Sequence, residues 1–247
     1  MPTRTATLLI PTPDGRADAF AVFPDHGGPH PGVLMYPDAF GIRPVIREMA
    51  RELAGHGYYV LVPNFFHRHG PSPVELPEYI DDDVRVGIIG QLMPLVRAHT
   101  TDLTLRDADA FVRFLTARPE VAAGPVAVTG YCFGGLLALR TASAHPGQVA
   151  AVAGFHGPVA AEGPDGLHRL LSAITAEVHL GHAASDLSPE TLAALDRALD
   201  AAGLRYTSEI YPGTVHGFTM SDTSAFDPEG LKRHWEHLLP LLDRALT

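Results

Sequence analysis

The stretch Gly130-Tyr131-Cys132-Phe133-Gly134-Gly135 decides how the rest of this chain is read. It follows a β-rich apolar run at 125–129 and leads into a second apolar run at 134–144 with helical character. A reactive side chain with glycine two residues away on either side marks a sharp strand-to-helix turn. At such a turn a β-carbon before or after the central residue collides with the backbone, and glycine removes the collision. The turn lifts the side chain of residue 132 above the sheet edge, at a helix N-terminus whose dipole favours an anion. Free cysteine is among the most buried residue types, but simple packing gives no reason for the glycines around this one.

Outward from the turn, strands and helices alternate. Towards the N-terminus, residues 5–10 and 19–23 read as strands joined by the turn signal Thr12-Pro13-Asp14-Gly15, hence an antiparallel hairpin. Residues 32–36 form a short buried strand that ends at Pro37-Asp38-Ala39-Phe40-Gly41. A helix is predicted at 44–56 from the spacing of Ile46, Met49, Ala50 and Leu53, and a strand at 58–62, stopped by Pro63. Residues 64–80 are a long irregular stretch rich in Pro, Gly and His, of the kind that is often functional. Residues 82–97 are apolar enough for a helix but without a clear face, and 101–117 is a clear helix. Asp81, Asp82 and Asp83 suit a solvated helix start.

Towards the C-terminus come a strand at 149–155, a Gly/Pro-rich loop, a strand at 177–181, a helix at 190–202, a strand at 205–211 and a helix at 229–246. This order predicts an α/β fold with a mostly parallel sheet and helices on both faces. No repeat or linker divides the chain, so one domain over 1–247 is expected.

Bulk properties narrow the function. With 46% apolar and 19% charged residues, the 247-residue chain is an ordinary globular protein. The net charge is −10, from 28 acidic and 18 basic residues, and Lys232 is the lone lysine. No basic stripe is present to neutralise phosphates, which argues against nucleic-acid binding. A single cysteine excludes an intramolecular disulfide and suits a reducing compartment. The apolar run at 6–10 is too short for a signal-peptide core, and no run nears the ~20 residues of a membrane span. A cytoplasmic protein, a monomer or homodimer, is expected.

A thiol nucleophile needs a base, and the base needs an orienting acid. Where the nucleophile sits on such an elbow, the chain order is nucleophile, acid, histidine. Among 14 histidines, position singles out His216, which lies in Tyr211-Pro212-Gly213-Thr214-Val215-His216-Gly217-Phe218, after the last predicted strand. Asp186, in the loop His182-Ala183-Ala184-Ser185-Asp186-Leu187-Ser188-Pro189, opens at the same sheet edge as Cys132. Asp165 precedes a strand instead of following one, and Asp222 follows the histidine, so both are weaker rivals.

The 37–41 loop, the 130–135 elbow, Asp186 and the 212–218 segment together resemble the dienelactone hydrolase family, over residues 18–240 or so. The resemblance implies an α/β-hydrolase fold and a Cys132–His216–Asp186 triad. It also implies an oxyanion hole from the Phe133 and Ala39 N–H groups, and hydrolysis of a small ester or lactone without cofactor or metal. It departs from the family at three places. Asp38 stands where the family has a glutamate that hydrogen-bonds the resting thiol. Met220 stands where the family has an arginine that binds the substrate carboxylate, which points to a less acidic ester or lactone. The loop from Gly181 to Asp186 is longer by about two residues.

Phe40, Tyr131, Phe218 and Met220 are the expected substrate contacts, with Phe65, Phe66 and Phe133 as further candidates for pocket or core. His67 and His69, like His179 and His182, invite a metal reading, but no third ligand is identifiable. Arg85 and Arg97 are candidates to meet an anionic substrate, with surface placement the favoured expectation for both. Two other readings stay open: a non-catalytic binding protein on the same scaffold, and a thiol-dependent hydrolase of another acyl substrate.

Overall fold

The computed structural model describes residues 1–157 and 170–246; the Asp165 candidate and most of the loop after 155 lie outside them. Strands β1 (Thr3–Thr12) and β2 (Gly15–Pro24) form the expected hairpin around Pro13-Asp14. Both outrun the apolar residues that predicted them, because backbone pairing continues through polar positions. Six further strands follow: β3 (Gly32–Tyr36), β4 (Tyr59–Pro63), β5 (Val126–Tyr131), β6 (Val149–Phe155), β7 (Glu177–Ala183) and β8 (Tyr206–Tyr211). They make one eight-stranded sheet in the order β1-β2-β4-β3-β5-β6-β7-β8, antiparallel from β1 to β4 and parallel from β4 to β8.

Six α-helices flank it among the described residues: α1 (Pro44–Gly55), α2 (Asp82–Ala98), α3 (Thr101–Thr116), α4 (Phe133–Ala144), α5 (Pro189–Ala201) and α6 (Pro228–Leu246). This is the α/β-hydrolase fold. The ambiguous stretch after residue 81 is the helix α2. The Asp81 carboxylate caps it by accepting the Val84 N–H at 3.0 Å, and Pro94 lies within it. No helix of the described chain is long and apolar enough to cross a membrane.

Strand periodicity divides the core. Leu34 and Tyr36 of β3 point to the face covered by α3, α4 and α5, where they join Phe111, Leu137 and Leu199. Val33 and Met35 point to the other face, under α1 and α6, with Ile46, Leu53, Leu238 and Leu241. The register sets up the site. Tyr36 of β3 pairs with Gly130 of β5, and Ala183 of β7 with Tyr211 of β8. The loops bearing Ala39, Cys132, Asp186 and His216 therefore all leave the carboxyl edge of the parallel sheet, where open α/β sheets bind ligands.

Candidate active site

Cys132 joins β5 to α4 with φ 53° and ψ −124°, a conformation L-residues rarely adopt. The two glycines explain how the turn is tolerated. A β-carbon on Gly130 would lie 2.0 Å from the Gly134 carbonyl oxygen, and one on Gly134 would lie 2.3 Å from that of Pro37. The elbow is thus locked against its own helix and against the 37–41 loop. The Cys132 N–H donates to the Phe155 carbonyl at 2.9 Å, which leaves the partly exposed sulfur facing a cavity.

His216 comes from the loop between β8 and α6. Its Nδ1 lies 2.6 Å from Asp186 Oδ2. Burial pulls its pKa down, but hydrogen bonds to Asp186 and to Cys132, together with their charges, raise it to about 10. Both neighbours therefore favour the protonated ring, with the sulfur on one side and the carboxylate on the other. Ser185, which no pattern along the chain singles out, completes the arrangement. Its Oγ donates to Asp186 Oδ1 at 3.0 Å and accepts the His216 N–H at 3.0 Å. Thr214 stitches the two loops together by accepting the Ala184 N–H on Oγ1 and the Ser185 N–H on its carbonyl, each at 3.3 Å.

Phe133 opens α4, where first-turn N–H groups have no partner within the helix. The Ala39 N–H has no acceptor among the described residues. Asp38, expected beside the thiol, is committed elsewhere. Its two oxygens accept from Arg43 Nη1 at 2.6 Å and Nη2 at 3.0 Å, and Oδ1 also takes the Phe40 N–H at 3.1 Å. Asp222, the rival acid, pairs with the same arginine and not with His216.

The cavity above Cys132 measures about 320 Å³. Phe40 and Met220 line it, as expected from the sequence, with Ala39, Phe133 and His216. Tyr131 and Phe218 do not. Tyr131 precedes the elbow on the strand, so alternation sends its ring to the opposite face, where its hydroxyl lies 3.0 Å from His234 Nε2. Phe218 is fully buried against Tyr211 and His156. Phe65 and Phe66 are core residues, with Phe65 edge-on to Phe133.

The far wall was missed: it is α2, through Arg85, Ile89, Leu92, Met93 and Val96. Those positions do fall on one helical face, but the helix is apolar nearly all round, so its sequence marks no face. Arg85 is not merely at the surface, for it lines the cavity and donates from Nη2 to the His216 carbonyl at 2.7 Å. Arg97 is exposed as expected. Also missed was His156, at the end of β6 with φ 37°. Its ring lies edge-on to His216 at 5.3 Å, and its Nε2 is 2.8 Å from Thr219 Oγ1.

The candidate metal histidines lie away from this cavity. His67 bonds Thr12 Oγ1 at 3.2 Å, and His182 bonds Ser208 Oγ at 3.3 Å. His179 meets Glu209 and His237 with ligand-type atoms within 4.8 Å of one another. Its ring is stacked on His237 at 9°, however, which sets their lone pairs side by side instead of converging. Both of its nitrogens already have partners, Thr207 and Tyr211.

Known proteins resemble this chain in sequence and in fold. The model of the dienelactone hydrolase family matches residues 17–246. A "putative carboxymethylenebutenolidase" of Methylorubrum extorquens is 26% identical over 238 residues, covering 94% of this chain and 78% of its own. A carboxymethylenebutenolidase of Rhodococcus opacus is 32% identical over 126 residues, 48% of this chain and 41% of its own. The crystal structure of a "putative dienelactone hydrolase" from Klebsiella pneumoniae superposes with a TM-score of 0.85 at 22% identity, covering 99% of this chain and 100% of its own. At that identity the superposition speaks to the fold.

Proposed function

From the premise that this chain belongs to the dienelactone hydrolase family and is a hydrolase, we propose that it cleaves a carboxylic ester or lactone by acyl transfer through Cys132. The observation that carries this reading is the line from Asp186 to His216 to Cys132 at the floor of a largely apolar cavity. The thiolate attacks the carbonyl carbon, a C–S bond forms, and the carbonyl electrons move to oxygen. The Phe133 and Ala39 N–H groups receive that oxyanion, an effect worth ~3–4 kcal/mol per donor. The intermediate collapses to a thioester, and the leaving alkoxide takes the proton of the His216 imidazolium.

Acylation also resets the base. The sulfur's charge and hydrogen bond are part of what raises His216. Once the sulfur is acylated that support is gone, and the neutral ring can take a proton from water. The resulting hydroxide attacks the thioester, releases the acid and restores the starting pair. Asp186 orients the ring throughout.

Arg85 bears on the substrate class. It is the single arginine or lysine among the cavity-lining residues, and the one hydrogen bond its side chain makes among the described residues is to a carbonyl, not a carboxylate. It offers a cation to an anionic substituent, which the Met220 position cannot. An ester or lactone carrying a carboxylate fits this wall better than a neutral one.

The test is turnover of an aryl ester. Cys132→Ala should lose about a thousandfold or more in kcat, and the wild type should gain the acyl mass on Cys132 when quenched. Undiminished turnover in the alanine variant would end the proposal. Arg85→Met should raise KM for a carboxylate-bearing lactone far more than for a neutral ester, and a fall in kcat shared by both substrates would report the lost bond to the His216 carbonyl.

A further inference from the structure

We propose that Arg43 is a positioning residue of the oxyanion site, fixing the direction of the Ala39 N–H; this rests on the acyl-transfer reading above. Arg43 stands just ahead of Pro44 at the start of α1, and its side chain, 7% exposed, lies between the 37–41 loop and the segment after His216. Nη1 and Nη2 grip Asp38 at 2.6 and 3.0 Å, while Nε and Nη2 grip Asp222 at 2.6 and 3.1 Å. Nη1 also donates to the Gly41 carbonyl at 3.4 Å, and the guanidinium lies 5.2 Å from the Phe40 ring.

These contacts surround Ala39 without touching it. Asp38 on one side is held by the fork, and Phe40 on the other is held by its N–H bond to Asp38 Oδ1. Ala39 has only a methyl group; the peptide that carries its N–H is tied by the turn bond from the Gly41 N–H to the Asp38 carbonyl at 3.0 Å, and Arg43 holds both residues of that turn bond. The opposite grip reaches the rest of the cavity. Asp222 lies between Met220 and Thr223, both on the wall, and its carbonyl accepts the Ile80 N–H at 2.8 Å at the approach to α2. One buried cation thus joins three walls of the cavity.

Stability alone gives little reason for such a cluster. The desolvation of buried charges offsets much of their attraction, and apolar replacements are often as stable. What the arrangement supplies is direction. A planar guanidinium fixes two carboxylates in two orientations, which a lysine ammonium cannot do.

The experiment compares an ester with its matched thionoester, whose C=S sulfur is a weak hydrogen-bond acceptor. Well-placed N–H donors favour the ester, so the ratio of the two kcat values reports on their placement. In Arg43→Lys, kcat for the ester should fall about tenfold or more, with the thionoester much less affected and KM nearly constant. The ratio narrows. Asp222→Asn, which leaves the grip on Asp38 in place, should narrow it less, and it decides the matter if the lysine variant does not fold. An unchanged ratio, equal losses on both substrates, or a change confined to KM would overturn the proposal. Failure of the acyl-transfer reading is distinguishable, since it shows in the wild type as turnover with no acyl mass on Cys132.

Discussion

The two sides of the cavity are built on opposite terms. At the elbow, backbone atoms press so closely that two positions accept only glycine, and Cys132 is held at a positive φ. Across from it, α2 has just two buried side chains, Ile88 and Leu92, holds Pro94 within its length, and exposes Val84, Val86 and Ile89. The first side fixes where bonds form; the second shapes what fits. Reaction geometry is lost with shifts of about 1 Å, whereas a loosely anchored apolar wall can repack at small cost. The comparison predicts that equal changes on the two sides have unequal consequences.

The largest contrast is Gly134→Ala. Its β-carbon would meet the Pro37 and Tyr36 carbonyl oxygens at 2.3 and 2.7 Å, both backbone atoms. The expected result is a loss of more than about 3 kcal/mol, read as a collapsed urea midpoint or insoluble protein. A variant that melts like the wild type would mean that the elbow has slack.

Next in size is Asp186→Asn, which should lower kcat by up to about ten-thousandfold while the fold persists. His216 stands near pKa 10 partly through this carboxylate. Its pKa should therefore fall in the variant, measurable by NMR titration of the ring. On α2, Met93→Ala should instead alter KM across substrate sizes and leave the His216 titration in place.

Acid stability is set by burial on both sides, for His99 at the C-terminus of α2 is held near pKa 4 as well. Burial holds His179 near pKa 3 and His182 near 4, and keeps His156 and His234 well below 6.5. All four belong to β6, β7 or α6, or lie at the end of β6. They are neutral when folded and take protons when unfolded, so this stability is full above pH 6.5 and is lost as pH falls towards 4. Each costs up to about 1.4 kcal/mol per pH unit in that window. His216 has the opposite sign: its contribution is present below 6.5 and is lost as pH rises towards 10. Urea midpoints that do not move between pH 7 and 5 would contradict the assignment.

These contrasts also explain what could be read from the chain. The elbow was legible because its constraint is local: glycine at 130 and 134 has a steric reason within a few residues. The places of Asp186 and His216 followed from the alternation of strands, since each sits in a loop just after a parallel strand. Tyr131 and Phe218 were misplaced because apolar character near a site does not say which face of the sheet a ring takes. Arg43 and Ser185 went unseen because their partners, Asp222 and His216, lie far along the chain. The wall formed by α2 was unreadable for a different reason: a helix apolar on most sides carries no mark of which side meets the cavity.

The smallest expected effect tests that wall most directly. Gly87 and Gly90 lie in α2, and a β-carbon on either would meet nothing within 4 Å. Glycine in a helix interior costs about 0.5–1 kcal/mol relative to alanine. Gly87→Ala should therefore gain that amount, against the collapse expected from the same exchange at Gly134. Because α2 is thinly anchored, the gain should appear first in local opening, as amide exchange in α2 slowed about two- to fivefold with α4 unchanged. Global melting should rise only by the few degrees that this gain implies, and kcat on a small aryl ester should stay at the wild-type value. If Gly87→Ala instead slowed exchange in α2 and α4 alike, the two sides would open as one cooperative unit, and the division drawn between them would be wrong.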